Sequence, residues 1–170
     1  RHPQTAAVRR QVGVEEGIAL GHRRLSILDV SERGNQPMET ADGRYVTVYN
    51  GEIYNFKELR RKLDTHAGIP WSSNTDTEVL LYAYQRWGRN CLKYFHGMFA
   101  LAVWDRQERS LFLARDRLGI KPCYYAPLSD GNIAFASELQ SLLQHPHVDR
   151  SVSPAALDEY LTYLYVPAPR

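Results

Sequence analysis

Tyr49-Asn50-Gly51-Glu52-Ile53-Tyr54-Asn55 is the stretch of sequence that decides the expected architecture of this chain. Residues 44–49 before it are rich in aromatic and β-branched side chains, which is typical of a strand. Residues 56–63 after it carry apolar side chains at helical spacing, with basic side chains between them. We therefore expect Asn50-Gly51-Glu52 to form a corner at the end of a strand. The corner would present an amide side chain, a free backbone N–H and a carboxylate, which suit an oxyanion and an ammonium group.

A β-hairpin turn at Asn50-Gly51 is the alternative interpretation, because both residues tolerate positive φ. A two-residue hairpin turn should be followed directly by a second alternating strand. The helical spacing of Phe56, Leu59 and Leu63 weakens this interpretation without removing it.

The composition indicates a globular protein of about one domain, with room for a short piece of a second. The chain has 170 residues, 44% of them hydrophobic and 24% charged. Its net charge of +2 gives no support to nucleic-acid binding. We find neither an apolar run of membrane-spanning length nor a signal peptide, and we expect a cytoplasmic protein without a membrane partner.

Neither the cysteines nor the histidines form a pattern that indicates a metal site. Cys91 and Cys123 have no disulfide or metal-ligand spacing, and we interpret both as buried structural thiols. The sequence His145-Pro146-His147 is more typical of a surface turn than of a ligand pair. We expect no metal and no cofactor in this chain.

Other elements follow from hydrophobic spacing and from turn residues. A helix is predicted to start after a cap at Asn74 or Thr75 and to stop at Gly88. Residues 1–17 are predicted to be loop with at most one weak strand. Further strands are predicted at 17–27, 71–74, 98–105, 110–115, 123–125 and 132–136, and further helices at 91–95, 138–143 and 154–165. This order predicts an α+β fold with antiparallel sheets and helices packed outside them.

An ordered set of motifs resembles one protein family. The motifs are Gly21-His22-Arg23-Arg24-Leu25-Ser26-Ile27-Leu28-Asp29, Gly34-Asn35-Gln36-Pro37-Met38, the stretch 49–55, Thr75-Asp76-Thr77-Glu78-Val79-Leu80, Gly97-Met98-Phe99-Ala100, Ala114-Arg115-Asp116-Arg117-Leu118-Gly119-Ile120-Lys121-Pro122 and Ala136-Ser137-Glu138. The set resembles the glutaminase domain of glutamine-hydrolysing asparagine synthetases, which are class II glutamine amidotransferases with the N-terminal nucleophile hydrolase fold. The match runs from about Gly17 to the C-terminus.

The resemblance implies a four-layer α/β/β/α sandwich of two antiparallel sheets, and it implies residue roles. Arg24 matches the arginine that pairs with the α-carboxylate of glutamine. Asn50 and Gly51 match the oxyanion-hole pair, and Glu52 and Asp76 match the groups around the α-ammonium. The residues that match the lining of the same pocket are Leu25, Ser26, Ile27 and Leu28.

The chemistry of glutamine hydrolysis agrees with these roles. Free glutamine is a zwitterion, so its capture calls for a guanidinium at one end and carboxylates at the other. Attack on its side-chain amide creates an oxyanion, and each preorganised donor there stabilises the transition state by about 3 to 4 kcal/mol. The family also uses an N-terminal cysteine as nucleophile, activated by its own α-amino group.

That cysteine is not in the printed sequence, and we expect it upstream of Arg1 with the first strand. Arg1-His2-Pro3-Gln4 lies where the family carries the motif Arg-Gly-Pro-Asp. This chain therefore has His2 in place of the glycine and Gln4 in place of the aspartate. We assign residues 1–150 to the amidotransferase domain, without its first strand and nucleophile, and we expect the 170-residue chain alone to be inactive. Residues 151–170 would be the linker and first helix leading to a synthetase domain that binds ATP and Mg²⁺.

Two other readings stay open at this point. The departures at His2 and Gln4 allow a degenerate domain that binds glutamine, or only scaffolds a synthetase, without hydrolysis. A similar amidotransferase domain also occurs in enzymes whose ammonia acceptor is not aspartate. A homodimer is among the assemblies that the sequence allows.

Arg115 and Asp116 are interpreted as a structural pair at a strand end. The remaining cluster, Tyr160, Tyr163 and Tyr165, is interpreted as packing surface towards the synthetase domain.

Overall fold

The structure, a computed structural model, describes residues 9–15, 17–24, 32–65 and 68–167. The chain divides into two compact units, Arg1–Cys123 and Tyr124–Arg170, and each is described here by itself. Every strand pair in both units is antiparallel. Together with the helices, this confirms the α+β class expected from the order of elements.

A four-stranded sheet and a two-stranded hairpin make up the β structure of the first unit. The hairpin joins β1 (Arg9–Glu15) to β2 (Ile18–Arg24). The sheet has the order β3-β4-β5-β6. Its strands are β3 (Met38–Glu39), β4 (Tyr45–Ile53), β5 (Gly97–Asp105) and β6 (Ser110–Arg115). β2 contacts β4, so the hairpin lies against the central strand of the unit.

Two helices lie between β4 and β5 in the chain. They are α1 (Phe56–Asp64) and α2 (Asp76–Trp87), followed by a 3-10 segment at Gly88–Lys93. Thr75 caps α2, since its hydroxyl accepts a hydrogen bond from the Glu78 amide at 3.3 Å, and Gly88 ends the helix. Both ends are where the sequence predicted them.

The core of the first unit lies between the helices and one face of the sheet. On this face the side chains of Tyr49 and Ile53 in β4 join one buried cluster with Val79, Leu80 and Ala83 of α2. The opposite face of the sheet is also buried. Its side chains come from the alternate positions of β4 and β5: Val46, Val48, Ala100, Ala102 and Trp104.

The central strand is longer than the sequence predicted. β4 continues through Asn50-Gly51-Glu52 and ends at Ile53, with all three residues paired to β5. The expected corner at 50–52 was therefore wrong, and the hairpin alternative is also excluded. Strand pairing continues because glycines at 51 and 97 let the two backbones approach closely. A Cβ at Gly97 would lie 2.1 Å from the Glu52 carbonyl oxygen.

One other prediction of local structure was also wrong, and a second understated the strand that it allowed. Residues 71–74 form no strand but an extended loop, whose amides bond a side chain of α2 instead of a neighbouring strand. Residues 9–15, predicted as loop with at most a weak strand, pair with β2 along their full length. The hairpin between β5 and β6 was predicted correctly.

The second unit contains a hairpin and two helices. Strand β7 (Tyr124–Pro127) pairs with β8 (Ile133–Ala136), and α3 (Leu139–Leu142) and α4 (Pro154–Tyr163) follow. A small cluster of buried residues, Leu128, Leu142 and Val148, forms its core. No residue of α4 is buried within the described structure.

Candidate active site

The outer edge of β4 is only partly covered by a neighbouring strand. β3 pairs with β4 at Thr47 and Val46 alone. Beyond that point two side chains take the place of a strand. The Tyr49 amide donates to Oε1 of Gln36 at 2.6 Å, and the Ile53 amide donates to Oδ2 of Asp76 at 3.0 Å. The Gly51 amide lies between these two bonded amides.

The Gly51 amide points towards this outer edge. The backbone hydrogen bonds of Phe99, the residue of β5 that pairs with Gly51, indicate this direction. Gly51 pairs with Phe99. The Phe99 amide donates to Oδ2 of Asp116 at 3.1 Å, and the Phe99 carbonyl accepts from the Asp116 amide at 2.8 Å, both on the far side of β5. Residues of such a non-hydrogen-bonded pair direct their backbone groups away from each other. No side chain of the described residues accepts from the Gly51 amide.

Asp76, the first residue of α2, is the acidic group at this edge. It is 5% exposed, and its Oδ2 accepts hydrogen bonds from the Tyr49 hydroxyl at 2.7 Å and from the Ile53 amide. Within the described residues no hydrogen bond ends on Oδ1. The start of the helix also favours a negative charge here. A carboxylate held by one oxygen can offer the other to a cation.

Glu78 fixes the approach of the chain to Asp76, a role that sequence reasoning missed. Its buried carboxylate accepts four hydrogen bonds, from the amides and hydroxyls of Ser72 and Ser73, at 2.7 to 2.8 Å. These bonds hold the loop that leads into the Thr75 cap. Two serines before a capping threonine, with a glutamate three residues later, are the signal that could have indicated this arrangement.

Asn50 and Glu52 lie on the other face of β4. Because side chains alternate along a strand, they project opposite to Tyr49 and Ile53 and therefore opposite to α2. Asn50 is half-buried and Glu52 is exposed. The structure thus brings the Gly51 amide and Asp76 to one edge, while the side chains of Asn50 and Glu52 start from the opposite face of the same strand.

The predicted carboxylate-binding residues fall largely outside the described part. The backbone of Arg24 ends β2 and pairs with Arg9, but its side chain is not described. The predicted lining residues Leu25, Ser26, Ile27 and Leu28 also lie outside the described residues.

Asp116 organises the opposite side of the sheet. Besides the Phe99 amide, its carboxylate accepts from the amides of Leu118, Ile120 and Lys121. These bonds lower the pKa of Asp116 to about 2, and the bond from the Lys121 amide has the largest effect. Arg115 donates to the carbonyls of Gly119 and Lys121. The two side chains therefore support one loop, but through backbone groups instead of the mutual pair that the sequence suggested.

The two cysteines differ in burial, and burial raises the pKa of both thiols. Cys91 is buried, and burial raises the pKa of its thiol to about 12. Cys123 is half-buried, not buried as predicted, and burial also raises the pKa of its thiol. In the part of the chain that the structure describes, no three His, Cys, Asp or Glu side chains come together as metal ligands. No helix among these residues is long and apolar enough to cross a membrane.

Comparison with known proteins gives this arrangement its family. The chain belongs to the glutamine amidotransferase domain family, whose sequence profile matches residues 8–170. The fold resembles that of a glutamine phosphoribosylpyrophosphate amidotransferase from Bacillus subtilis, solved with ADP and GMP. The TM-score is 0.61 at 23% identity, covering 74% of this chain and 28% of that one. This likeness confirms the α+β sandwich fold that the resemblance implied.

The more similar relatives in sequence are glutamine-hydrolysing asparagine synthetases. Asparagine synthetase 1 of Bacillus subtilis is 40% identical over 155 residues, which are 91% of this chain and 24% of that protein. A putative asparagine synthetase of Methanocaldococcus jannaschii is 39% identical, over 89% of this chain and 32% of its own length. The Zea mays enzyme is 37% identical, over 75% and 21%. The chain is thus homologous to the amidotransferase part of these proteins and spans about a quarter of their length.

Proposed function

We propose that this chain binds L-glutamine at the outer edge of β4, beside the Gly51 amide, and acts as the glutaminase part of an asparagine synthetase-type amidotransferase. One observation carries the proposal: the Gly51 amide faces a stretch of the β4 edge with which no strand of the described residues pairs, next to the buried carboxylate of Asp76. An unused donor beside a fixed anion suits a substrate with a carbonyl oxygen and an ammonium group. Family membership supplies the substrate class.

In this proposal the charged head of glutamine is held at both ends. Oδ1 of Asp76 accepts from the α-ammonium, and Glu52, whose side chain starts from the opposite face of β4, would reach around the outer edge to add a second negative charge. By the family resemblance, Arg24 would pair with the α-carboxylate, and Leu25, Ser26, Ile27 and Leu28 would line the pocket. Charge-assisted bonds of this kind are about twice as strong as neutral ones, so they select the zwitterion over neutral amides.

The reaction would proceed through a tetrahedral intermediate on the side-chain amide. A thiolate adds to the amide carbon, and the carbonyl oxygen becomes an oxyanion. The Gly51 N–H and the Asn50 side-chain amide donate to this oxyanion. The α-amino group that took the thiol proton passes it to the amide nitrogen, so that ammonia leaves as the intermediate collapses to a thioester. Water then hydrolyses the thioester to glutamate and restores the thiol. The nucleophile in this proposal is the N-terminal cysteine that the resemblance implies, and neither Cys91 nor Cys123 takes its place.

The whole protein would use the ammonia to amidate aspartate. ATP and Mg²⁺ would belong to a synthetase part, and the unpaired thiols suit a cytoplasmic location. Helix α4 with its C-cap residue Leu164 is the surface we propose for docking that part, because Leu161, Tyr163 and Leu164 are 58 to 79% exposed. The much greater length of the relatives supports this choice of occupant.

The test uses the full open reading frame that encodes this chain and measures glutamate release from glutamine. Asp76→Asn keeps acceptor oxygen for Tyr49 and Ile53 but removes the charge, so we expect KM for glutamine to rise about 10- to 100-fold. Asp149→Asn, on the exposed surface of the second unit, is the matched control and should leave KM unchanged. Absence of glutamate release by a folded wild-type protein would contradict the proposal.

Glutamine binding without hydrolysis is the second candidate, favoured by His2 and Gln4, which depart from the family motif. Calorimetry distinguishes the two functions, because a binding module would take up glutamine with no glutamate formed. The acceptor is a separate question: a phosphoribosylpyrophosphate amidotransferase has the same fold at 23% identity, so the fold alone does not select aspartate.

A further inference from the structure

We infer that Tyr49 is a positioning residue that directs the Asp76 carboxylate at the ammonium group of glutamine and so determines selectivity for an α-amino acid. The inference rests on the proposed function and adds a residue to it. It starts from the hydrogen bond between the Tyr49 hydroxyl and Oδ2 of Asp76, 2.7 Å long and buried.

The bonding at Asp76 is one-sided. Oδ2 takes both the Tyr49 hydroxyl and the Ile53 amide, whereas no hydrogen bond of the described residues ends on Oδ1. Two donors on one oxygen fix the rotation of the carboxylate, and the second oxygen is then presented in a fixed direction. Without the hydroxyl, the Ile53 amide alone would hold the group, and the carboxylate could turn about that single bond.

The Tyr49 hydroxyl is suited to act only as a donor. Tyr49 is 4% exposed, and burial followed by the negative charge of Asp76 raises its pKa far above the ordinary value for tyrosine. The hydroxyl therefore stays protonated throughout the pH range of an enzyme assay. Its hydrogen is therefore available to the Asp76 carboxylate throughout that range.

The backbone amide of Tyr49 is also hydrogen-bonded at the outer edge of β4. Its amide donates to Oε1 of Gln36, and Nε2 of Gln36 lies 3.4 Å from the Thr77 hydroxyl of α2. Bonds on both sides of Gly51 thus tie β4 to the first turn of α2. Tyr49 takes part in both connections, one through its amide and one through its hydroxyl.

The experiment compares L-glutamine with glutaramate, which is glutamine without the α-ammonium, on the full open reading frame. In Tyr49→Phe we expect KM for glutamine to rise about tenfold with kcat within twofold, from loss of one bond to a charged group. The kcat/KM for glutaramate should be unchanged, since that substrate makes no ammonium contact. Tyr45→Phe, a buried tyrosine on the same face of β4, is the control.

The outcomes separate this inference from the proposed function. Equal losses for both substrates, or no loss for glutamine, would overturn the role of Tyr49 while Asp76→Asn still raised KM. An unchanged KM in Asp76→Asn would overturn the proposed function, and this inference with it. The same change in an Asp76→Asn background is a second test: a further rise in KM of less than twofold supports action through Asp76, and a tenfold rise contradicts it.

Discussion

Gly51 lies so close to Met98 that a Cβ on Gly51 would stand 2.2 Å from the Met98 carbonyl oxygen. The neighbouring Phe99 Cα would be 2.7 Å away. Both contacts are with backbone, which cannot move aside as a flexible side chain can. The approach of β4 to β5 therefore requires glycine at the position whose amide faces the candidate site.

Gly51→Ala is expected to destabilise the protein by about 2 to 4 kcal/mol, because β4 and β5 must separate locally to admit the methyl group. The measurement is the urea midpoint of unfolding. Gly68→Ala is the control, since nothing lies within 4 Å of a Cβ at that exposed position. Equal midpoints for the two variants would contradict the close approach.

Glu78→Gln is expected to lower the free energy of unfolding by about 2 to 3 kcal/mol. A glutamine side chain has one acceptor oxygen for the four donors of Ser72 and Ser73, and its NH₂ would face donors. Chemical denaturation gives the value, with the exposed Glu58→Gln in α1 as the control. A loss no larger than that of Glu58→Gln would show that the four bonds contribute little.

The pH dependence of stability should report Asp116. Its pKa, lowered to about 2 by backbone amides, lies below the value of about 4 for an unfolded aspartate. The carboxylate therefore stabilises the fold fully above pH 4, and this contribution is lost as pH falls through 2.

Asp116→Asn should be less stable than wild type at pH 7, and the difference should shrink as pH falls from about 4 to 2. Urea denaturation at several pH values in this window measures it. Asp158→Asn, an exposed change in α4, is the control. A difference that stays constant down to pH 2 would argue against the bound carboxylate.

Leu161→Glu tests the docking surface of α4. This leucine is 70% exposed, and a charge there should disturb packing of a synthetase part. In the full open reading frame we expect glutamate release to persist while glutamine-dependent asparagine formation falls at least tenfold. Leu118→Glu, at an 85% exposed leucine of the first unit, is the control. Equal effects of both changes would remove the case for α4.

Local signals in the sequence predicted the elements better than their tertiary contacts. The start of α2 at Thr75 and its end at Gly88 follow from capping chemistry, which depends on a few neighbouring residues. The end of β4 was misjudged because Asn50-Gly51 is a turn signal locally, whereas pairing with β5 overrides it. Periodicity reports which face a residue occupies, but not which distant partner extends a strand.

The polar contacts of the site illustrate the same limit. Gln36 reaches the Tyr49 amide across 13 residues and the Thr77 hydroxyl across 41 residues of chain. No spacing in the sequence indicates such contacts, because they arise where a strand edge is left open by the fold. Asp76 was found through family resemblance, and its burial against Tyr49 became visible only in the structure.

The most direct test of the central claim is a crystal structure of the protein with L-glutamine bound. The account predicts the α-ammonium within hydrogen-bond distance of Oδ1 of Asp76, with the side-chain carbonyl directed at the Gly51 amide. Glutamine bound elsewhere, with solvent or another segment of the chain at the outer edge of β4 beside Gly51, would contradict it.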